Sequence, residues 1–196
     1  MGFAAFNAIL DYFGSNFTMR KLHITELNRK HIEEFKSSKK WPVRILLDNV
    51  RSLHNIGSVF RTADAFLVEE IYLCGISAQP PHPEIHKTAL GATETVSWKY
   101  FAQVEDAIKA SISEGYKIVI IEQTSDSVPL NQFIYPDEPI VLVFGNEVKG
   151  VSEEVLPYSD VALEIPQFGT KHSFNISVCA GIVMYALNQQ YINATK

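Results

Sequence analysis

An α/β protein, with a mostly parallel sheet and helices on both faces, is the fold class that this sequence predicts, and two observations predict it. From residue 43 onward, short β-branched runs alternate with segments of helical periodicity, the mark of repeated strand and helix units. The 196 residues are 46% apolar and 20% charged, enough for one domain to bury a sizeable core and too apolar for a disordered chain.

The elements follow in order. RILLD reads as the first strand, and residues near 55–68 as a helix in which Ile56, Val59, Phe60, Ala63 and Phe66 form one buried face. EEIYLCG is a second strand, followed by a helix near 83–90 with Pro83 in its first turn. TVSWKYF, a helix near 104–113, YKIVIIE and PIVLVFG continue the alternation, and a short helix near 152–157 precedes VALEIP. A helix near 175–190 closes the pattern, with Ile176, Cys179, Ile182, Val183, Ala186 and Leu187 at i, i+3, i+4 spacing and Asn175 at the N-cap, Ser173 and Ser177 beside it. Its Ala180 and Gly181 are small enough for another helix to come close. Before residue 43, ITELNRKHIEEF suggests one weakly amphipathic helix, and the first 18 residues read as an extension ahead of Met19, a candidate alternative start. The domain division expected is therefore 1–42, an N-terminal extension and basic helical segment, and 43–196, the α/β domain.

Charge is unevenly placed. Residues 19–44 hold eight basic side chains against three acidic ones, a surplus of five, while the net charge of −5 leaves −10 for the rest. A basic front on an acidic body suits contact with phosphates, and on charge alone a solvated helix face explains it equally well. The composition holds no run of about 18 apolar residues and the N-terminus has no basic region ahead of an apolar one, so a cytoplasmic protein is expected. Cys74 and Cys179 stand far apart, which implies neither a disulfide framework nor a zinc site, and Cys179 within an apolar helix reads as core. HPEIH places two histidines four apart without a third ligand, so no metal is expected. The sequence lacks GxGxxG after the first strand, GxxxxGK[ST] and GxSxG, which leaves dinucleotide binding, P-loop chemistry and a hydrolase elbow unsupported.

Three loops are unusual for connectors. In DNVRSLHNIGSVFRTADAF, Arg61 points away from the buried face beside Ser58, Thr62 and Ala65, where it can lie in a pocket or simply be solvated, the commoner case. FGNEVKGVSEE leaves a strand with glycines flanking Glu147, a residue that could bind a ligand or cap a helix. IPQFGTKHSFNIS delivers Lys171, His172 and Ser173 to the N-terminus of the last helix, where free N–H groups favour an electron-rich ligand, with Gly169 allowing a tight path.

As a set, NIGSVFRTADAF, FGNEVKG and IPQFGTKHSFNISVCAGIVMYAL resemble the three ordered motifs of the SpoU (TrmH-like) RNA methyltransferases of the SPOUT superfamily, over about residues 44–187. Each motif is loose singly; three in order are specific. The resemblance implies S-adenosyl-L-methionine as cofactor, methylation of a ribose 2′-OH in tRNA or rRNA with tRNA favoured, a homodimer, and a C-terminal trefoil knot that periodicity would not suggest. It also assigns residues. Gly145, Ile165, Phe174 and Ser173 match cofactor positions, Glu122 and Gln123 would form another wall, and SFN stands where family members commonly have SLN. Arg61 matches the motif-one arginine assigned to activating the hydroxyl, with Asn55 positioning it, and Ser173, Asn175 and Glu147 are further candidates for orienting ribose and cofactor. Because a guanidinium keeps its proton above pH 12, Arg61 fits a phosphate clamp better than a literal base. The alternatives are a knotted RNA- or nucleotide-binding protein without activity, and an α/β enzyme acting on a free small molecule.

Overall fold

The computed structural model describes residues 19–195, and the first 18 residues of the expected extension lie outside the described ones. The chain divides between His31 and Ile32 into two compact units. In the first, a 3₁₀ turn spans Ile24–Glu26, and Glu26 closes a capping box with His23 and holds Arg20 at 2.7 Å. The single helix expected over ITELNRKHIEEF is not formed. Asn28 takes a left-handed conformation (φ 47°), which an L-residue inside a helix cannot adopt and which asparagine tolerates better than most, and helix resumes only at α1 (Ile32–Ser37) of the second unit.

The second unit contains β1 (Trp41–Asp48), α2 (Leu53–Ala65), β2 (Val68–Cys74), α3 (Pro83–Ala89), α4 (Ala92–Thr95), β3 (Ser97–Phe101), α5 (Val104–Ser113), β4 (Lys117–Ile121), β5 (Val128–Pro129), β6 (Ile140–Phe144), β7 (Val161–Glu164) and α6 (Ile176–Ala194). Its seven strands form one sheet in the order β3-β2-β1-β6-β4-β7-β5, and every pair is parallel. The expected short helix near 152–157 is instead a turn followed by a 3₁₀ turn at Leu156–Tyr158, with Pro157 inside it. The last helix runs on to Ala194 because nothing in NQQYINA breaks it.

Both faces of the sheet are covered, which is why its central strands are apolar throughout rather than alternating. On one face Ile45 and Leu47 of β1 pack with Phe60 of α2 and Val183 and Leu187 of α6. On the other, Leu46 of β1 packs with Ile108 of α5 and Val143 of β6. Arg44 is the exception in β1. Counted with the basic front in the sequence, it is only 5% exposed and ion-paired to Glu114 (2.5 Å) and Glu69 (3.3 Å), its guanidinium 3.9 Å from the Tyr116 ring centroid. It is therefore a core residue and leaves the phosphate-facing set. Among the described residues no helix is long and apolar enough to cross a membrane.

Register decides where function can sit. Leu47 pairs with Phe144, Ile121 with Phe144, and Ile121 with Leu163. The carboxyl ends of β1, β6, β4 and β7 are thus level, and the loops after them emerge along one edge, where ligands bind in open α/β sheets.

Candidate cofactor cleft

The loops after β4, β6 and β7 enclose a cleft of about 740 Å³ lined from residues 121–124, 144–151, 163–165 and 172–176, with Leu156, Gln167 and Cys179. The volume falls within the roughly 300–1,000 Å³ typical of small-molecule sites. All the positions expected to touch a cofactor line it: Gly145, Ile165, Phe174, Ser173, Gln123 and Glu122.

The loop after β6 is held in a hairpin-like pinch. Asn146 and Gly150 exchange two backbone hydrogen bonds of 2.9 Å each, and the Asn146 side-chain oxygen accepts from the N–H groups of Val148 and Lys149. A Cβ on Gly145 would lie 2.1 Å from the Gly150 carbonyl carbon, and one on Gly150 would lie 2.2 Å from Glu122 Oε2. Glycine is therefore required at Gly145 by the neighbouring backbone and at Gly150 by its φ of 72°. Glu122 accepts from Val151 N–H at 3.0 Å, and Gln123 Nε2 donates to the His172 carbonyl at 3.2 Å, so the β4 end ties the other two loops together. Gly169 behaves differently from expectation: its φ lies outside the left-handed region and a Cβ there would meet open space.

Glu147 makes the helix cap that one of its two readings anticipates, and it also lines the cleft. Its carboxylate accepts from the backbone N–H groups of Arg51 (3.0 Å) and Ser52 (3.1 Å), just ahead of α2, and from Asn55 Nδ2 (3.2 Å). Burial pushes its pKa up, but these donors together outweigh that and hold it below the ordinary glutamate value. Asn175 caps α6 as the sequence predicts, its Oδ1 accepting from Ser177 N–H at 3.0 Å. Its Nδ2 donates to Asn55 Oδ1 at 3.1 Å. Glu147, Asn55 and Asn175 thus form one relay joining the loop after β6 to the N-termini of α2 and α6. Three of the five expected catalytic residues are thereby hydrogen-bonded to one another, and Glu147 and Asn175 also line the cleft.

The other two have no such tie. Ser173 is exposed and lines the cleft. Arg61 is exposed on α2 and is not part of the cleft lining. Cys179 lines the cleft, but burial, with Glu122 nearby, pushes its thiol up to about 11, so it stays protonated and is no nucleophile near neutral pH. Among the described residues no group of three His, Cys, Asp or Glu is placed to hold a metal; His82 instead caps α3, its Nδ1 accepting from Glu84 N–H at 3.2 Å.

Sequence reasoning missed Asp48 and Asn49. Asp48, fully buried at the end of β1, accepts from Ser152 N–H at 2.7 Å and from Asn49 Nδ2 at 2.8 Å, and the Asn49 carbonyl accepts from Asn146 Nδ2 at 2.7 Å. The signal was an acid closing the buried apolar run of Ile45, Leu46 and Leu47, a place where a carboxylate persists only with donors around it.

The fold and cleft define an α/β protein with a cofactor-sized site at the carboxyl edge of a parallel sheet, built from the loops after β4, β6 and β7 and fastened by polar ties among them. Comparison with known proteins places that description: the model of the SpoU rRNA Methylase family matches residues 42–185, and the chain belongs to this family. It is 28% identical over 170 residues to the tRNA (guanosine(18)-2′-O)-methyltransferase of Thermus thermophilus, covering 87% of this chain and 86% of that protein. It is 28% identical over 166 residues to a 23S rRNA (guanosine-2′-O-)-methyltransferase of Neisseria meningitidis, covering 84% and 66%. Among solved structures, the TrmH/SpoU tRNA-modifying enzyme of Aquifex aeolicus superposes with a TM-score of 0.75 at 26% identity, covering 84% of this chain and 82% of that one. An AdoMet-bound rRNA methyltransferase from Sinorhizobium meliloti superposes with a TM-score of 0.72 at 28% identity, covering 77% and 57%.

Proposed function

We propose that this protein is an S-adenosyl-L-methionine-dependent RNA methyltransferase acting on a ribose 2′-OH. The observation that carries the reading is that the second and third motif loops, with every expected cofactor position, line one cleft, and that the first motif is tied to them through Asn55. The cofactor fits its lining. The pinch at Gly145 and Gly150 removes side chains where a ligand must approach backbone, Ile165 and Phe174 offer apolar walls, and Glu122 and Glu164 add negative charge suited to a cationic donor.

When bound, S-adenosylmethionine supplies a methyl group already activated by its sulfonium. The chain's task is then alignment and handling of the hydroxyl proton. Asn55, Glu147 and Asn175 position the loops, and Ser173 is the free hydroxyl on the cleft wall. Arg61 works from the RNA side, its planar fork gripping a phosphate next to the target ribose and stabilising negative charge on the 2′ oxygen as its proton leaves to phosphate or water.

The finer assignments rest on related support. A homodimer is favoured by α6, whose Val178 and Tyr185 are 51% and 58% exposed on an otherwise apolar helix. A C-terminal trefoil knot is favoured by the likeness to SpoU structures and by the ties among the loops after β4, β6 and β7. tRNA is favoured over rRNA by the relatives named for guanosine 18 of tRNA. The basic segment that begins at Met19, without the buried Arg44, is assigned to RNA contact and 43–196 to catalysis, in the cytoplasm where such RNA is found.

Calorimetric titration with S-adenosylmethionine, followed by transfer of tritiated methyl to total RNA and mapping of ribose methylation, tests the reading. Saturable binding and 2′-O-methyl formation are expected; absence of donor binding would overturn it. Arg61→Lys separates clamp from simple charge. A loss of at least tenfold in turnover is expected, since lysine lacks the fork, and near-normal turnover would exclude the clamp.

A further inference from the structure

Residues 45–195 hold eight Lys and Arg side chains against eighteen Asp and Glu. In so acidic a body each cation has ample choice of partner, and the pairing is not uniform. Lys87, Lys99, Lys109 and Lys117 sit within ion-pair distance of Glu84 (3.8 Å), Glu70 (3.1 Å), Glu105 (3.7 Å) and Asp160 (3.4 Å). Arg51, Arg61, Lys149 and Lys171 are exposed, and among the described residues no carboxylate lies within ion-pair distance of them.

The division follows place. The four paired lysines lie on α3, β3, α5 and β4, none of them lining the cleft. Three of the unpaired ones border it. Lys149 lines the cleft, and Lys171 adjoins His172, which also lines it. The Arg51 backbone N–H is fastened to Glu147 of the cleft loop at 3.0 Å, so its side chain springs from the lip. Arg61 stands ten residues further along, on the α2 face that carries His54 and Ser58 at helical spacing. Surface ion pairs contribute little to stability, so leaving these four unpaired costs little, yet together they form a local field of positive sign on a negative body.

Resting on the function proposed above, we infer that Arg51, Lys149 and Lys171 form a phosphate-binding rim that seats the RNA backbone across the cleft mouth, extending the contact made by Arg61. The acidic remainder repels the polyanion elsewhere, so the rim sets the orientation of docking as well as its strength.

Each phosphate contact should contribute about 0.7–0.9 to the slope of log K against log salt. Binding of purified tRNA is measured for the full chain and for Arg51→Gln, Lys149→Gln, Lys171→Gln and Lys109→Gln between about 50 and 200 mM salt. Each rim variant should lower the slope by that amount and weaken binding about threefold to fivefold at low salt, while Lys109→Gln, from an ion pair on α5, should match the unaltered protein. Rim variants with an unchanged slope, or Lys109→Gln with the same loss, would overturn the rim and leave the methyltransferase reading standing. An unaltered protein that binds S-adenosylmethionine but no RNA at low salt would overturn that reading, and the rim with it.

Discussion

At the scale of single residues, Asn175 and Glu147 both line the cleft and make hydrogen bonds that hold its loops. Asn175 was legible as an N-cap because a polar residue preceded an apolar helix; its second bond, from Nδ2 to Asn55 at 3.1 Å, joins residues 120 apart and no local pattern reveals it. The two roles separate by substitution. Asn175→Ala should lower stability by about 1–2 kcal/mol, one for the cap and the rest for Asn55 left short of a donor. Asn175→Asp keeps the cap acceptor but sets a carboxylate oxygen against Asn55 Oδ1, so it should retain the cap's share of stability and still depress methyl transfer because the relay is cut; chemical denaturation and turnover read the two effects independently. Glu147 makes a pH prediction. Its folded pKa is depressed, so the unfolded chain binds the proton more readily, and the stabilisation is complete above the ordinary glutamate value of about 4.3 and lost as pH falls through the lower folded value. Melting curves from pH 6 down to 3 should show the native protein losing its advantage over Glu147→Gln at the acid end. Parallel curves would mean that the carboxylate is not held as described.

At the scale of elements, the strands were legible because β1 and β6 are buried on both faces and therefore spell continuous apolar runs, and α5 because its apolar face repeats cleanly. The N-terminal helix failed because a weak amphipathic pattern carries no information about Asn28 turning left-handed. Glycines show the same limit. Gly145 and Gly169 look alike in sequence, but only the first abuts another backbone, 2.1 Å from where its Cβ would stand. Gly145→Ala should force the Asn146–Gly150 pinch apart and abolish cofactor binding in calorimetry, whereas Gly169→Ala should bind within about twofold of the native protein and shift stability by less than about 0.5 kcal/mol. Equal effects at the two sites would show that the pinch is not what shapes the cleft. Gly57, by contrast, carried a signal that was overlooked, a glycine inside a predicted helix. A Cβ there would lie 2.4 Å from the Ile85 carbonyl oxygen, so it sets how closely α2 and α3 pack.

At the scale of the whole molecule, the expectation of which segments would meet a cofactor came only from the ordered resemblance of three motifs; the joint placement of the loops after β4, β6 and β7 follows from strand register, a property of the assembled sheet. The oligomer is the corresponding question one level up. The small pair in α6 was expected to admit a neighbour, and its members differ: Ala180 is fully buried within the chain, while a Cβ on Gly181 would meet nothing within 4 Å. Gly181 therefore serves no packing inside this chain, although glycine in a helix interior costs about 0.8–1 kcal/mol relative to alanine. A second copy docking on α6 beside Val178 and Tyr185 would explain its retention, since only a bare backbone permits the closest helix approach. Gly181→Ala should then stabilise the isolated chain by about 0.4–1 kcal/mol and weaken self-association, displacing the dimer dissociation constant upward by tenfold or more in sedimentation equilibrium. Tyr185→Glu, which places a charge on the same face, should yield monomer without loss of the folded state by circular dichroism. If Gly181→Ala stabilises the chain and leaves association untouched, α6 is not the interface, and the exposed apolar stripe it carries must serve another surface of the molecule.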